Sequence, residues 1–233
     1  MSVRRPEYGE TWAYESIIGA LPGVNISRRA AIAIQLIVFE IALLGLAWYY
    51  ALPDIIVPGT AAVAVAAAGS AEMLRISGAA RAPETPEAYR RLLFGSSVEV
   101  VLSVLAFIAF VTHLFVFDPG GGPLVERLFG TRPPTLVVYL TLLVMWDLCY
   151  RLGTGWWAAI VALWRSATYR FDPETAATLR RADRETLLFG IIQLVLVPFI
   201  LDFPVLLAAL IGHVTAVFVV TTASLALLRW RET

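Results

Sequence analysis

Apolar residues in this chain come in long blocks, separated by short clusters of arginine, acid, proline and glycine. The blocks fall at about 30–50, 55–74, 92–117, 135–157 (or on to 164), 186–201 and 205–228. Their lengths centre on the ~20 residues that carry a helix across a ~30 Å hydrocarbon core. The pattern predicts an all-α, polytopic transmembrane bundle of six spans; a membrane β-barrel would show short alternating segments instead. The last two blocks fuse into one run of 43 residues, 186–228, too long for a single span. Asp202-Phe203-Pro204 is its one polar, proline-bearing break, so a tight turn is expected there.

Residues 1–29 are polar to amphipathic and carry no secretory signal pattern, so the first apolar block reads as an uncleaved helix. Within this segment Tyr14, Ile17, Ile18 and Leu21 share one helical face over 10–23, and Pro22-Gly23 ends the run. That stripe fits a short helix lying on the membrane surface, or equally a packed N-terminal cap.

Arginine placement orients the six spans. With the N-terminus cytoplasmic, the inner segments hold 15 of the 18 arginines and the outer loops hold two, Arg127 and Arg132. Arg151 is intramembrane. This asymmetry follows the positive-inside rule and puts the C-terminal tail, 229–233, inside as well. Trp48, Tyr49 and Tyr50 at one face, with Trp164 and Trp230 at the other, stand where interfacial aromatics belong.

Pro83-Glu84-Thr85 followed by Arg90-Arg91 recurs as Pro173-Glu174-Thr175 followed by Arg180-Arg181, and each copy leads into Leu-Leu-Phe-Gly. One reading is a parallel duplication of the hairpins formed by spans 2–3 and 4–5. The other is convergence, since any inner loop entering a span favours a cap and arginine anchors. Span 2 consists largely of small residues from Gly59 to Ala71, which let backbones approach closely and predict a central position in the bundle. The loop Asp118-Pro-Gly-Gly-Gly-Pro123 lacks the spacing of a phosphate cradle and reads as a turn.

Composition agrees with membrane embedding. Apolar residues make up 59% of 233 and charged residues 15%, so a lipid bilayer is the expected partner; the net charge is zero, which favours no particular partner, and no nucleic acid is expected. All 18 basic residues are arginine, so lysine chemistry is absent and a retinal Schiff base is excluded. The lysine-free, Ala/Val/Arg-rich usage and the Ala-Pro-Glu-Thr and Asp-Pro-Glu-Thr loops resemble those of uncharacterised haloarchaeal multipass membrane proteins. That resemblance implies an archaeal cell membrane as location and no particular activity.

Ionisable side chains inside the hydrocarbon are the natural functional candidates, because each costs at least ~2.5–3.5 kcal/mol at the bilayer centre. Four stand out: Glu40 in span 1, Glu99 in span 3, and Asp147 and Arg151 in span 4. At 1.5 Å per residue they lie roughly 10–16 Å from the inner edge or close to it, with Gln193 near the same level, so convergence into one inner-half cluster is expected. Asp147 and Arg151 are spaced i, i+4 with the acid first, the favourable order for a pair. The pair is either part of a transport site or a structural clasp, with Arg151 able to reach the interface beside Trp156 and Trp157. Gly153 and Gly155 leave two shapes for span 4: a hinge that breaks the helix, or one long tilted helix.

His113 and His213 are the only histidines. Haem ligation needs both at one depth, whereas the spans place them ~7 Å apart, so hydrogen-bonded packing roles are expected. Two histidines and the single Cys149, none closely spaced, give no metal site, and no nucleophile–base motif is present. Three functions remain. The first is a small ion- or proton-coupled transporter or channel using the intramembrane carboxylates. The second is a non-catalytic scaffold or accessory subunit, with another membrane protein or its own copies as partner. The third, ranked last for want of acidic metal-binding clusters, is a lipid-modifying membrane enzyme.

Overall fold

A backbone buried in hydrocarbon must satisfy its own N–H and C=O groups, which leaves the helix as the element for such blocks. The computed structural model describes Trp12 and residues 27–82, 84–116 and 123–231, and over these it is helical with no strand. The helices are α1 (Arg28–Tyr49), α2 (Ile56–Ala80), α3 (Glu87–Gly95), α4 (Val98–Phe115), α5 (Leu124–Phe129), α6 (Thr135–Thr168), α7 (Pro173–Gln193) and α8 (Pro204–Trp230). Five segments are long and apolar enough to cross a membrane: Arg29–Tyr49, Pro53–Ala80, Glu87–Phe115, Thr135–Thr168 and Pro204–Trp230. The chain is thus a membrane-embedded helical bundle. The stripe residues Tyr14, Ile17, Ile18 and Leu21 and the loop residues Asp118 to Gly122 lie outside the described residues.

The block at 186–201 is not among the five, because it is only the apolar second half of a longer element. α7 starts polar, at Pro173 behind an Asp172 cap whose carboxylate accepts from the backbone N–H groups of Glu174 and Thr175 at 3.0 Å. It turns apolar at Thr186 and tightens to a 3₁₀ helix over Leu194–Phe199. Pro198 explains the change, since it has no N–H to donate to Leu194 and its ring would crowd that carbonyl. The chain then turns at Ile200–Asp202 and α8 opens with Pro204 at its first position.

α6 is the axis of the bundle, packing against α1, α2, α3, α4, α7 and α8. It is the long helix, 34 residues without a break at Gly153 or Gly155, so neither glycine is a hinge. Gly153 is instead a place of close approach, while Gly155 faces Glu72 at ordinary contact distance. A Cβ on Gly153 would stand 2.7 Å from the backbone N of Ser103 on α4, so only glycine admits that helix. α2 is also interior, packed on α1, α6 and α7 as its small residues predict. The third apolar block is two helices: α3 ends before Ser97, which takes a left-handed conformation (φ 55°), and α4 restarts behind it.

The two Pro-Glu-Thr copies build different local structures. The second starts α7 directly, whereas in the first Thr85 donates to the carbonyls of Ala80 and Ala82 (both 2.7 Å) and holds a turn before α3. At the end away from the arginines, Leu43, Leu114, Leu124, Phe129 and Phe203 form one buried cluster. There Arg127 pairs with Asp202 and lies over the Phe203 ring, tying α5 to the α8 turn. At the arginine-rich end, Trp12 is fully buried against Phe94 and donates to the Leu93 carbonyl at 3.3 Å.

Candidate functional site

A helix advances 100° per residue, so positions 147, 151, 155 and 165 on α6 fall within a narrow range of angles. Asp147 and Arg165, 18 residues or five whole turns apart, point the same way, separated by about 27 Å along the axis. This face of α6 carries a ladder of buried polar groups.

At its upper rung Arg151, fully buried, donates from Nη2 to Asp147 at 2.6 Å and from Nε to the Ser70 hydroxyl of α2 at 2.8 Å. Its guanidinium also lies over the Tyr150 ring. Gly69 makes the approach feasible: a Cβ there would meet the Arg151 Cβ at 2.7 Å and the Phe189 ring at 2.6 Å. Gln35 of α1 is a hydrogen-bonding neighbour of Asp147. The pair therefore faces the bundle interior, where Arg151 has no path to the interface.

One turn further, Glu72 of α2 points into the space that Gly155 leaves. It is 2% exposed, and neither carboxylate oxygen has a hydrogen-bond partner meeting ordinary geometry, although the Thr186 side chain lies beside it. A Cβ on Gly155 would sit 3.7 Å from Glu72 Oε2. Arg75, a turn along α2, is engaged with Glu185 of α7 at 2.5 Å.

The lowest rung is a buried network, complete but for Arg165 Nε, which has no hydrogen-bond partner. Arg165 donates to Asp183 Oδ1 of α7 at 2.6 Å and to the Tyr89 hydroxyl of α3 at 3.2 Å. Asp183 Oδ2 accepts from Ser224 of α8 at 2.8 Å, and Ser224 bonds Ser166 at 2.9 Å. All five residues are buried. Four helices are joined here by charge-assisted bonds of the stronger kind.

The expected convergence of Glu40, Glu99, Asp147 and Arg151 does not occur. Glu40 accepts from Thr60 at 2.6 Å. It lies five residues beyond Gln35, the α1 residue level with Asp147, hence about 7.5 Å further along the axis. Glu99 is buried, with Oε2 unpartnered, on the side of α6 where Ser103 packs on Gly153. Gly153 stands roughly 200° around the helix from Arg151, so Glu99 faces the opposite flank. Gln193 does fall at the expected level. Phe189 packs at Gly69 beside Arg151, and Gln193, one turn on, is level with Asp147, buried and with Oε1 unpartnered.

Glu72, Arg165 and Asp183 were not anticipated. Each lies at the end of an apolar block, where a charge ordinarily marks the interface, and only the extension of α2 to Ala80 and of α6 to Thr168 brings them inside. Their signal was available in small residues one face away: Gly155 opposite Glu72, and Ala158, Ala159 and Ala162 above Arg165.

Chemically the ladder offers carboxylates, one bound guanidinium at each charged rung and hydroxyls. No group of three or more His, Cys, Asp or Glu side chains placed to hold a metal ion occurs among the described residues. His113 and His213 line one cavity, but at its two ends: His113 is ten residues, about 15 Å, from Ser103, while the His213 ring lies against Trp156, three residues from Gly153. No curated protein and no solved structure matches the chain. A family model does match, over residues 7–224, and the chain belongs to that family, a family of unknown function (DUF7530).

Proposed function

We propose that this protein is a small proton- or cation-coupled membrane carrier, with Glu72 as the group that exchanges its proton or ion and the Asp147–Arg151 pair as fixed charge beside it. The observation that carries the reading is Glu72 itself: a fully interior carboxyl, without a hydrogen-bonded partner, facing Gly155 of α6. Ionising such a group without a partner is strongly unfavourable, so its charge state is coupled to whatever water or cation reaches it. The ladder toward Arg165 and Asp183 supplies polar contacts over about 27 Å on the arginine-rich side.

In this reading the chain crosses the membrane six times, with both termini cytoplasmic. The 3₁₀ segment after α7 completes the sixth crossing, since Asp183 bonds at the arginine-rich end and Phe199 and Ile200 stand at the other. The 15-to-2 arginine distribution supports the orientation. A static scaffold is the second reading, favoured by the buried Arg165–Asp183–Ser224 network, which ties α6, α7 and α8 together.

Flux separates the two. Purified protein is sealed into vesicles with an internal pH dye, and a potassium diffusion potential is imposed with sodium present or absent. The carrier reading expects proton or sodium-dependent pH change with the native chain and its loss in Glu72→Gln. No movement above protein-free vesicles, or equal movement in Glu72→Gln, contradicts it.

A further inference from the structure

On the flank of α6 away from the ladder, a cavity of about 470 Å³ opens between α4, α6 and α8, with α1 and α2 on its far wall. Its size lies in the range of small-molecule sites, and its lining is apolar except for a few groups. Leu102, Gly153 and Trp156 stand at the inner end, and Leu114, Leu124 and Phe129 at the outer end beneath α5. His213 and His113 mark these ends, about 15 Å apart along the helices. The cavity is thus elongated along the helices, the shape that an extended hydrocarbon chain fills.

The polar groups at the outer end accept rather than donate. His113 Nδ1 lies 2.8 Å from the Ala109 carbonyl, which can only accept, so Nδ1 carries a proton and the Nδ1–H tautomer presents Nε2 as an acceptor. The Thr141 hydroxyl likewise spends its proton on the Val137 carbonyl at 2.8 Å and keeps only lone pairs. No arginine is among the described residues that line the cavity. An anionic head would find no counter-charge, whereas a neutral O–H would find acceptors.

We propose that this cavity binds a single-chain membrane alcohol, a long-chain or isoprenoid alcohol. Its hydroxyl donates to His113 Nε2, and its chain runs inward along α6 to Trp156 and His213. The site shares no residue with the ladder, so it stands or falls independently of the carrier reading. It puts a lipid within van der Waals reach of the helix that carries Asp147 and Arg151.

The test uses the full chain in nanodiscs titrated with 12-bromododecanol, whose terminal bromine would reach the inner end and quench Trp156. Saturable quenching near one ligand per protein is expected, absent in Trp156→Phe. Affinity should fall about tenfold in His113→Phe and be largely kept in His113→Gln, which retains an acceptor. Ala106→Phe, which fills the bore, should abolish saturable binding while the thermal transition shows a folded protein. The proposal is overturned if quenching is unsaturable, if Ala106→Phe leaves it unchanged, or if 12-bromododecanoate binds as tightly as the alcohol. Equal affinity of His113→Phe and the native chain would also overturn it.

Discussion

Gly155 of α6 stands directly over the carboxylate of Glu72 on α2: the side chain that the glycine lacks would begin 3.7 Å from Oε2. One turn away the exchange is reversed, with Gly69 of α2 yielding space to the stem of Arg151 on α6. Each helix gives up a side chain where the other brings in a charged one, and this is how two ionisable residues enter an otherwise small-residue interface.

Gly155 should tolerate alanine where Gly153 and Gly69 should not. At Gly155 the added methyl makes ordinary contact, so Gly155→Ala should leave the thermal transition of the purified protein nearly unchanged. At Gly153 it would meet the Ser103 backbone at 2.7 Å, which cannot swing aside. Gly153→Ala should therefore lose about 1–3 kcal/mol of stability, the usual range for overpacking. Gly69→Ala should behave like Gly153→Ala, because the Arg151 Cβ and the Phe189 ring both crowd it.

Removing one partner of the Asp147–Arg151 pair strands the other. Asp147→Asn or Arg151→Leu alone should be destabilising, by about 3–5 kcal/mol for the complete loss of a partner. Asp147→Leu with Arg151→Leu together should recover much of that, because a buried pair replaced by apolar side chains is often neutral. A double-mutant cycle read by thermal unfolding in detergent checks the coupling.

The lowest rung should show graded losses. Asp183→Ala leaves Arg165 without its carboxylate and should be the most damaging change there, again about 3–5 kcal/mol. Ser224→Ala removes one bond to Asp183 and should cost about 1 kcal/mol. If Ser224→Ala matched Asp183→Ala in the same unfolding assay, the division of roles within the network would be wrong.

Asp172 supplies a pH dependence outside the membrane. The Thr175 and Glu174 N–H groups hold its carboxyl below the ordinary value of 3.8. A depressed folded value means the cap contributes above the unfolded value and is lost as pH falls through the folded one. Stability should thus decline on acidification below pH ~4, and Asp172→Ala should remove that part of the decline. Asp172→Asn, which still caps, should remove the pH dependence while keeping more of the stability.

Block lengths, arginine flanks and the Pro204 turn made the helical membrane fold legible, since each reflects a local requirement of the bilayer. Depth was legible too: Gln193 and Asp147 share a level, as counting residues suggests. Azimuth was not. Glu40 bonds Thr60 about 7.5 Å beyond the level of Asp147, and Glu99 faces the Ser103 flank, because which side of a helix meets which neighbour depends on packing partners far away in the chain. Glu72 was missed for a related reason, its burial resting on how far α2 and α6 run past the apolar block.

The central claim, that Glu72 is an exchangeable group reached from water, meets its most direct test through cysteine chemistry. Cys149 is the only cysteine, so a Cys149→Ala background is free of thiols. Glu72→Cys in that background is reacted, in sealed vesicles of known orientation, with a membrane-impermeant methanethiosulfonate. Ser103→Cys, equally buried but on the opposite flank of α6, is the control. Modification at position 72 from the arginine-rich side, and none at position 103, is the predicted result. Position 72 remaining as unreactive as 103 from both sides would contradict it.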